Sequence, residues 1–427
     1  METRLDVSHL RHQFPVGQGF FHAGSVRFGS AVIRYVYDCG SSKPRASRNA
    51  SITGYLGGLG SSPRLDAVFV SHLHEDHANG IPILLKKPDL RVDRVFLPYL
   101  HPALRLAAAG YAGIPNQEFF WFLSNPADYL LKTGRVDQVV YVHSVGEPGD
   151  EPQGNPEEQR TTAFRDLENP DFSDSNGRPP LLIARTTKTP PDDLEVHSGD
   201  SAAAGNVSFL SHREPILVDQ NGAQYRWLFM THVDESHIDL SQLDVELKGR
   251  GFDPDKFASR DTALLERLRT MRNRGKIREA YEAVVGSDLN VSSMSLYSGP
   301  SQANCPSVSL RHVHDGQTEG LLCSRYSSRQ LSSKRDGKIG WLGTGDAWLG
   351  TKHQPEVQRL VDHFSSTNHG DLLRRSSTIV LPHHGSRGNF SIRLVSAIQP
   401  DCIVISAGSE SSHQHPHPDV VMELENH

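Results

Sequence analysis

The feature that most restricts this chain is an apolar run, residues 65–70, that stops at Ser71-His72-Leu73-His74-Glu75-Asp76-His77-Ala78-Asn79-Gly80. The run is short, rich in Val and Phe, and bounded by Pro63 and Gly80, so it reads as a buried strand. Four potential metal ligands therefore share one loop at the tip of a rigid element. His72 and His74 are two apart, and in an extended backbone their imidazoles point the same way. Asp76 and His77 follow where the chain must turn, and face a neighbouring position. Imidazole with carboxylate suits zinc, or manganese and iron where oxygen predominates. The chain has 23 histidines, so a solvated loop is the ordinary alternative. His-x-His-x-Asp-His at a strand end is a pattern chance rarely supplies.

Other pieces follow in chain order: Tyr37-Asp38-Cys39-Gly40 upstream, then Gly343-Thr344-Gly345-Asp346 and Pro382-His383-His384-Gly385-Ser386 downstream. Ser406-Ala407-Gly408 leads to His415-Pro416-His417-Pro418. With the first loop, these resemble the metallo-β-lactamase family, and the downstream pieces are most similar to the nuclease-like domain of the ComEC family of DNA-uptake proteins. The resemblance covers residues 8–100 and 285–427. It implies an α/β fold, an αββα sandwich with a long insertion between its halves, and two divalent ions, zinc or manganese. His72 and His74 would hold one ion, Asp76 and His77 the second, with Asp346 bridging and His384 closing a shell. In that family the residue at Asp38 supports the metal loop through hydrogen bonds; a turn Asp is the plainer reading. The third histidine the fold often contributes is left among His143, His232, His237 or none.

Adjacent residues of an extended chain point to opposite faces, so one of His383 and His384 binds metal. We read His384 as the ligand and His383 as lying near the scissile group. Asp76, His383 and His417 are the candidate catalytic residues; Ser386, His415, Arg272 and Arg274 are candidate substrate contacts. The doubled His415-Pro-His417-Pro spacing leaves the roles within that pair open.

A chain of 427 residues suggests two or three domains, or one α/β enzyme with insertions. No apolar run of membrane-spanning length occurs, unlike the integral membrane channel protein, and the first residues lack the apolar core of a signal peptide. Cys39, Cys305, Cys323 and Cys402 are scattered without paired spacing and read as reduced thiols of a cytoplasmic protein. A net charge of −6 gives no overall pull toward nucleic acid, so such binding needs a local patch.

Three regions are expected: 1–135 and 286–427 as the halves of the fold, and 136–285 as an insertion. The first region opens with a hairpin over 9–28 and a strand at 31–37. A helix at 47–59 follows, then one at 81–87 and a strand at 92–98. The aromatics of 116–131 read as core or lid packing. Strands are expected at 139–143, 181–184 and 207–210, with an exposed loop at 146–180, where Pro, Gly and acidic residues dominate. Residues 227–230 lead into Thr231-His232-Val233-Asp234-Glu235-Ser236-His237, a surface loop or an alternative ligand source. One basic helix is expected over 262–285, carrying Arg267, Arg269, Arg272, Arg274, Lys276 and Arg278 to contact phosphates or to be solvated. Strands at 288–296, 338–343, 378–382 and 402–406 and a helix from Asp419 finish the chain, which reads as whole or as the enzyme part of something longer.

The function expected is a metal-dependent phosphodiester hydrolase, foremost a DNA nuclease without membrane attachment. By analogy with known settings of such domains, it serves as an anti-phage effector fused to or associated with a larger regulatory protein. The alternative is a small-molecule phosphodiesterase or esterase of cyclic-nucleotide or phosphocholine type, or another hydrolase of the fold.

Overall fold

The computed structural model describes residues 7–28, 31–43, 45–113, 116–144, 182–192, 194, 196, 205–218, 227–234, 238–286, 293–301, 338–408 and 414–427. The expected loop at 146–180, His237, Asn290, Ser292, Cys305, Cys323 and His413 lie outside the described residues.

Strands β1 (Val7–Gln13) and β2 (Phe21–Phe28) form the opening antiparallel hairpin, and β3 (Ala31–Cys39) pairs antiparallel with β2. Then β4 (Arg64–Phe69), β5 (Arg91–Pro98) and β6 (Val136–His143) add in parallel, each after a helical crossover. Strand β7 (Leu182–Ile183) lies in the other sheet, and β8 (Val207–Ser211) returns to run parallel to β6. The second sheet is completed by β9 (Ile216–Val218), β10 (Trp227–His232), β11 (Ser295–Pro300), β12 (Gly340–Gly343), β13 (Ser376–Val380) and β14 (Cys402–Val404). Its order is β14-β13-β12-β11-β10-β9-β7, antiparallel except for the β12-β13-β14 parallel set.

Strand periodicity explains the layering. In β10, Trp227 and Phe229 face the first sheet while Leu228 and Met230 face the outer helices. In β3, Ile33, Tyr35 and Tyr37 join that inter-sheet core, and Val36 packs outward. Three apolar layers result, helix on sheet, sheet on sheet and sheet on helix. This is an αββα sandwich of two seven-stranded sheets, the layering expected from the sequence.

Several expectations need correction. Residues 136–285 are not a separate insertion: β6 and β8 belong to the first sheet, and β7, β9 and β10 to the second. The helix expected over 262–285 is two, Thr262–Arg267 and Met271–Val285, because the Thr270 side chain accepts from Asn273 N and starts a new helix. The segment 116–131 likewise divides into Gln117–Ser124 and Pro126–Lys132, with Asn125 capping the second. Its Phe119, Phe120 and Phe122 are core, whereas Trp121 is 45% exposed. The helix expected at 81–87 is the single turn Ile81–Leu84.

Two buried histidines sit in the inter-sheet layer. His22 stacks on Trp341 at 4.2 Å, and His9 Nε2 lies 3.0 Å from the Tyr35 hydroxyl. Burial holds both well below the ordinary imidazole value. A depressed folded-state value means that the unfolded chain takes up protons first as pH falls, so stability is present above about pH 6.5 and lost below it. We expect the urea midpoint to fall between pH 7.5 and 5.5. In His22→Phe, which keeps the stacking, the slope should flatten by up to about 1.4 kcal/mol per pH unit. Equal slopes would show that His22 is not held neutral.

Candidate metal centre

The carboxyl ends of the parallel strands converge on one edge of the sandwich, where open α/β sheets collect ligands. Strand β3 delivers Asp38, whose backbone is left-handed (φ 56°). The Asp38 carboxylate accepts from Ser71 N and Ser71 Oγ, both at 2.6 Å, and from His77 Nδ1 at 2.8 Å. A hydroxyl has one proton, and Ser71 gives it to Asp38. In the 2.9 Å contact between Ser71 Oγ and His72 Nδ1, the ring N–H must therefore be the donor. Both His72 and His77 then carry their proton on Nδ1 and turn the Nε2 lone pair inward.

Those two Nε2 atoms meet Asp346, in the turn after β12. His77 Nε2 lies 3.0 Å from Asp346 Oδ1, and His72 Nε2 3.6 Å from Asp346 Oδ2. All three residues are buried, and the Nε2 atoms and Asp346 Oδ1 have no aligned hydrogen-bond partner. His384 repeats the pattern: Nδ1 donates to Ser406 O at 2.6 Å, and Nε2 lies 3.1 Å from Asp76 Oδ2. Asp76, His77, Asp346 and His384 each offer a ligand atom within 4.8 Å of the others. His74 stands beside them, its ring edge-on to His72 at 4.7 Å.

The electrostatics ask for a cation. Burial alone would raise Asp76 and Asp346; the His384 hydrogen bond and His77 hold Asp76 low, and the His77, His383 and His384 rings hold Asp346 well below the usual range. Burial would lower His77, yet Asp346 and Asp38 pull it well up, so a proton on Nε2 competes with an ion for that lone pair. Lone pairs of oriented imidazoles facing two buried carboxylates fit a divalent ion, with the far ring nitrogens already tied to the Ser71 hydroxyl, the Asp38 carboxylate and the Ser406 carbonyl.

Glycines permit the approach. A Cβ on Gly40 would lie 2.5 Å from the His77 carbonyl carbon, and one on Gly345, at φ +54°, 2.3 Å from Ser293 Oγ. Ser293 Oγ accepts from Asp346 N at 2.9 Å, and Met294 N donates to Ser71 O at 2.7 Å, so the segment entering β11 braces both halves of the site.

The remaining expected residues are distributed differently. His383 and His384 are not extended but left-handed, at φ 47° and 57°. His383 Nδ1 lies 3.0 Å from Asn389 Oδ1, and Asn389 Nδ2 donates to Asp346 O at 3.2 Å. His415, not His417, adjoins the centre: its ring is 5.4 Å from that of His383 and 6.3 Å from that of His384. His417 Nδ1 accepts from Asp419 N and caps the Pro418–Glu425 helix. Ser386 N donates to His383 O within the same turn. Arg272 is exposed, whereas Arg274 is buried and donates to Leu268 O and Arg269 O at the preceding helix end, which removes it as a substrate contact. Among the described residues, His143 and His232 lie outside the donor group around Asp346. His232 is also no surface-loop residue; it is buried at the end of β10.

Sequence reading did not identify Ser71, Ser293, Asn389 or Tyr111, whose ring is 6.4 Å from His74. The hydroxyl of Ser71, next to the first His at a strand end, was the one local signal.

No family model matches the chain. A stretch of 104 residues, 24% of the chain, is 28% identical to ComE operon protein 3 of Bacillus subtilis and covers 12% of that protein. The crystal structure of a long-form RNase Z from yeast aligns with 96% of this chain and 38% of its own, at 11% identity and a TM-score of 0.29. The first match accords with the resemblance read from the motifs. The architecture stands on this chain's own strand order. Among the described residues, no helix is long and apolar enough to cross a membrane.

If Asp38 orients the two imidazoles, Asp38→Asn should weaken zinc or manganese binding about 10–100-fold while leaving the circular dichroism spectrum unchanged. Metal-competition titration with a chromophoric chelator reads the shift. Unchanged affinity would remove Asp38 from that role.

Proposed function

We propose that the chain is a metal-dependent phosphodiester hydrolase acting on DNA. The observation that carries this is the set of inward Nε2 lone pairs on His72, His77 and His384 around Asp76 and Asp346, with the opposite nitrogens tied to Ser71, Asp38 and Ser406. His72, His74 and Asp346 would hold one divalent ion, zinc or manganese; Asp76, His77, Asp346 and His384 would hold the second. Such ions supply a water of lowered pKa and neutralise charge on a phosphoryl oxygen. Asp38 and Ser71 keep the imidazoles aimed at the reacting position. His383, oriented by Asn389, and His415 beside it stand where a leaving oxygen can be protonated. His415 takes the place first given to His417.

Two cations flank the centre. The Arg278 guanidinium sits 5.9 Å over the Tyr111 ring, which leans on His74. Arg387 lies in the turn after His383-His384 and pairs with Asp419. These favour a polyanionic strand over a small ester. DNA as the polymer, the cytoplasm as the compartment, association with a larger regulatory protein and the anti-phage setting rest on the resemblance.

Purified protein should degrade single-stranded, double-stranded or supercoiled DNA with manganese or zinc. His74→Ala and Asp346→Ala should be folded and slower by about 100-fold or more. Equal cleavage by the variants would end the two-ion assignment, and turnover of bis-p-nitrophenyl phosphate without DNA cleavage would favour the small-molecule reading.

Arg278→Ala and Arg387→Ala should each raise KM for DNA several-fold and reduce the salt slope of binding by about 0.7–0.9, with kcat on bis-p-nitrophenyl phosphate unchanged. Loss of small-ester turnover instead would mean that the arginines act on the centre itself.

A further inference from the structure

A second cluster of histidines lies on the other side of the second sheet's antiparallel half. His212 follows β8, His232 ends β10, and His363 lies on the Gln354–Ser365 helix. Each offers a ring nitrogen within 4.8 Å of the other two, and the ring centroids are 4.7, 4.8 and 5.4 Å apart. His212 and His232 are buried and His363 half-buried.

The carbonyls on either side of His232 orient the other two rings. His363 Nε2 donates to Thr231 O at 2.8 Å, which leaves its Nδ1 with a lone pair. His212 Nδ1 stands 3.0 Å from Val233 O and 3.1 Å from Val233 N, so the same backbone residue serves either tautomer. The tautomer that donates to the carbonyl frees Nε2, the arrangement metal-binding imidazoles adopt. The His232 ring is buried and packs against both of the other rings. Burial lowers all three below the ordinary value, so the rings are neutral near pH 7 and their lone pairs are available. Two cations face the cluster, Arg213 and Arg359; Asp234 Oδ2 accepts from Arg359 Nε at 2.8 Å and offsets the second.

We propose that His212, His232 and His363 form a second metal site, separate from the centre at Asp346, that takes a zinc-class divalent ion through three imidazoles with one position open to water. Three nitrogens with a fourth, exchangeable ligand suit Zn(II) and its late first-row neighbours and are poor for magnesium or calcium. Zn–N bonds of about 2.0–2.1 Å in a tetrahedron place ligand nitrogens about 3.3 Å apart, so side-chain rotation closes the cluster. The ion joins the β8–β9 connection, the end of β10 and the outer helix. His232 pairs with Ser295 of β11, next to the Ser293-Met294 segment that braces Ser71 and Asp346. The site is thus a clip on the strand pair that supports the other centre.

The test uses the full chain in an Asp346→Ala/His384→Ala background, which disables the first centre. After chelation and zinc reconstitution, this protein should retain about one zinc per chain by elemental analysis, and cobalt substitution should give the visible bands of a four-coordinate nitrogen site. Adding His232→Asn or His363→Gln should remove that zinc and those bands. Zinc should raise the melting temperature of the background protein and not that of the triple variants. A background protein that binds no zinc overturns the proposal, as does one whose zinc survives both added substitutions. If one added variant does not fold, the other decides, with His212→Gln in the same background as a third, because His72, His74, Asp76 and His77 remain in the background protein. Activity is not a readout, so failure here leaves the phosphodiesterase reading intact, and the reverse also holds.

Discussion

The buried carboxylate of Asp38 is the constraint on which the candidate centre depends. It gathers three donors from the β4 loop, two from Ser71 and one from His77, and so fixes the tautomers of two imidazoles at once. Burying a carboxylate is costly without such partners. Here the partners are what the site needs oriented, so stability and alignment come from the same contacts. The left-handed backbone of Asp38 and the missing Cβ of Gly40 bring the β3 end under the loop. A bulkier residue at Gly40 would meet the backbone of Asp76 and His77 before the carboxylate reached them.

The centre is also a joint between the sheets. The first sheet supplies His72, His74, Asp76 and His77, and the second Asp346 and His384. Tyr37 Oη donates to Met294 O at 2.8 Å, and Ser406 Oγ to Gly19 O at 2.7 Å, crossing from one half to the other. The aromatic layer of Tyr35, Phe69, Trp227, Phe229 and Trp341 sets the spacing below. Asp346 can be 3.0 Å from His77 because that layer is packed.

Much of the arrangement was legible because strand-end motifs are local. A short apolar run followed by His-x-His-x-Asp-His places its own side chains, and chain order fixes which strand ends bear Asp346 and His384. His384 does face Asp76, but for a different reason from alternation: both histidines are left-handed, and Ser406 O orients the ring. What the sequence hid depends on distant partners. Asn389 reaches back to His383, Ser293 to Asp346, and Arg274 folds inward onto carbonyls that only the break at Thr270 creates. His232 looked like part of a loop because its companions, His212 and His363, come from other segments. The middle of the chain looked like an insertion because its strands alternate between two sheets, and no local pattern records that.

The paired left-handed backbone at His383 and His384 carries one more consequence. Two successive non-glycine residues in that region hold conformational energy that only the surrounding contacts retain. Those contacts are the Ser406 carbonyl, which accepts from His384 Nδ1, and the Asn389 amide oxygen, 3.0 Å from His383 Nδ1. Because both contacts come from outside the loop, the aim of the two rings depends on Ser406 and Asn389 as much as on the loop's own sequence.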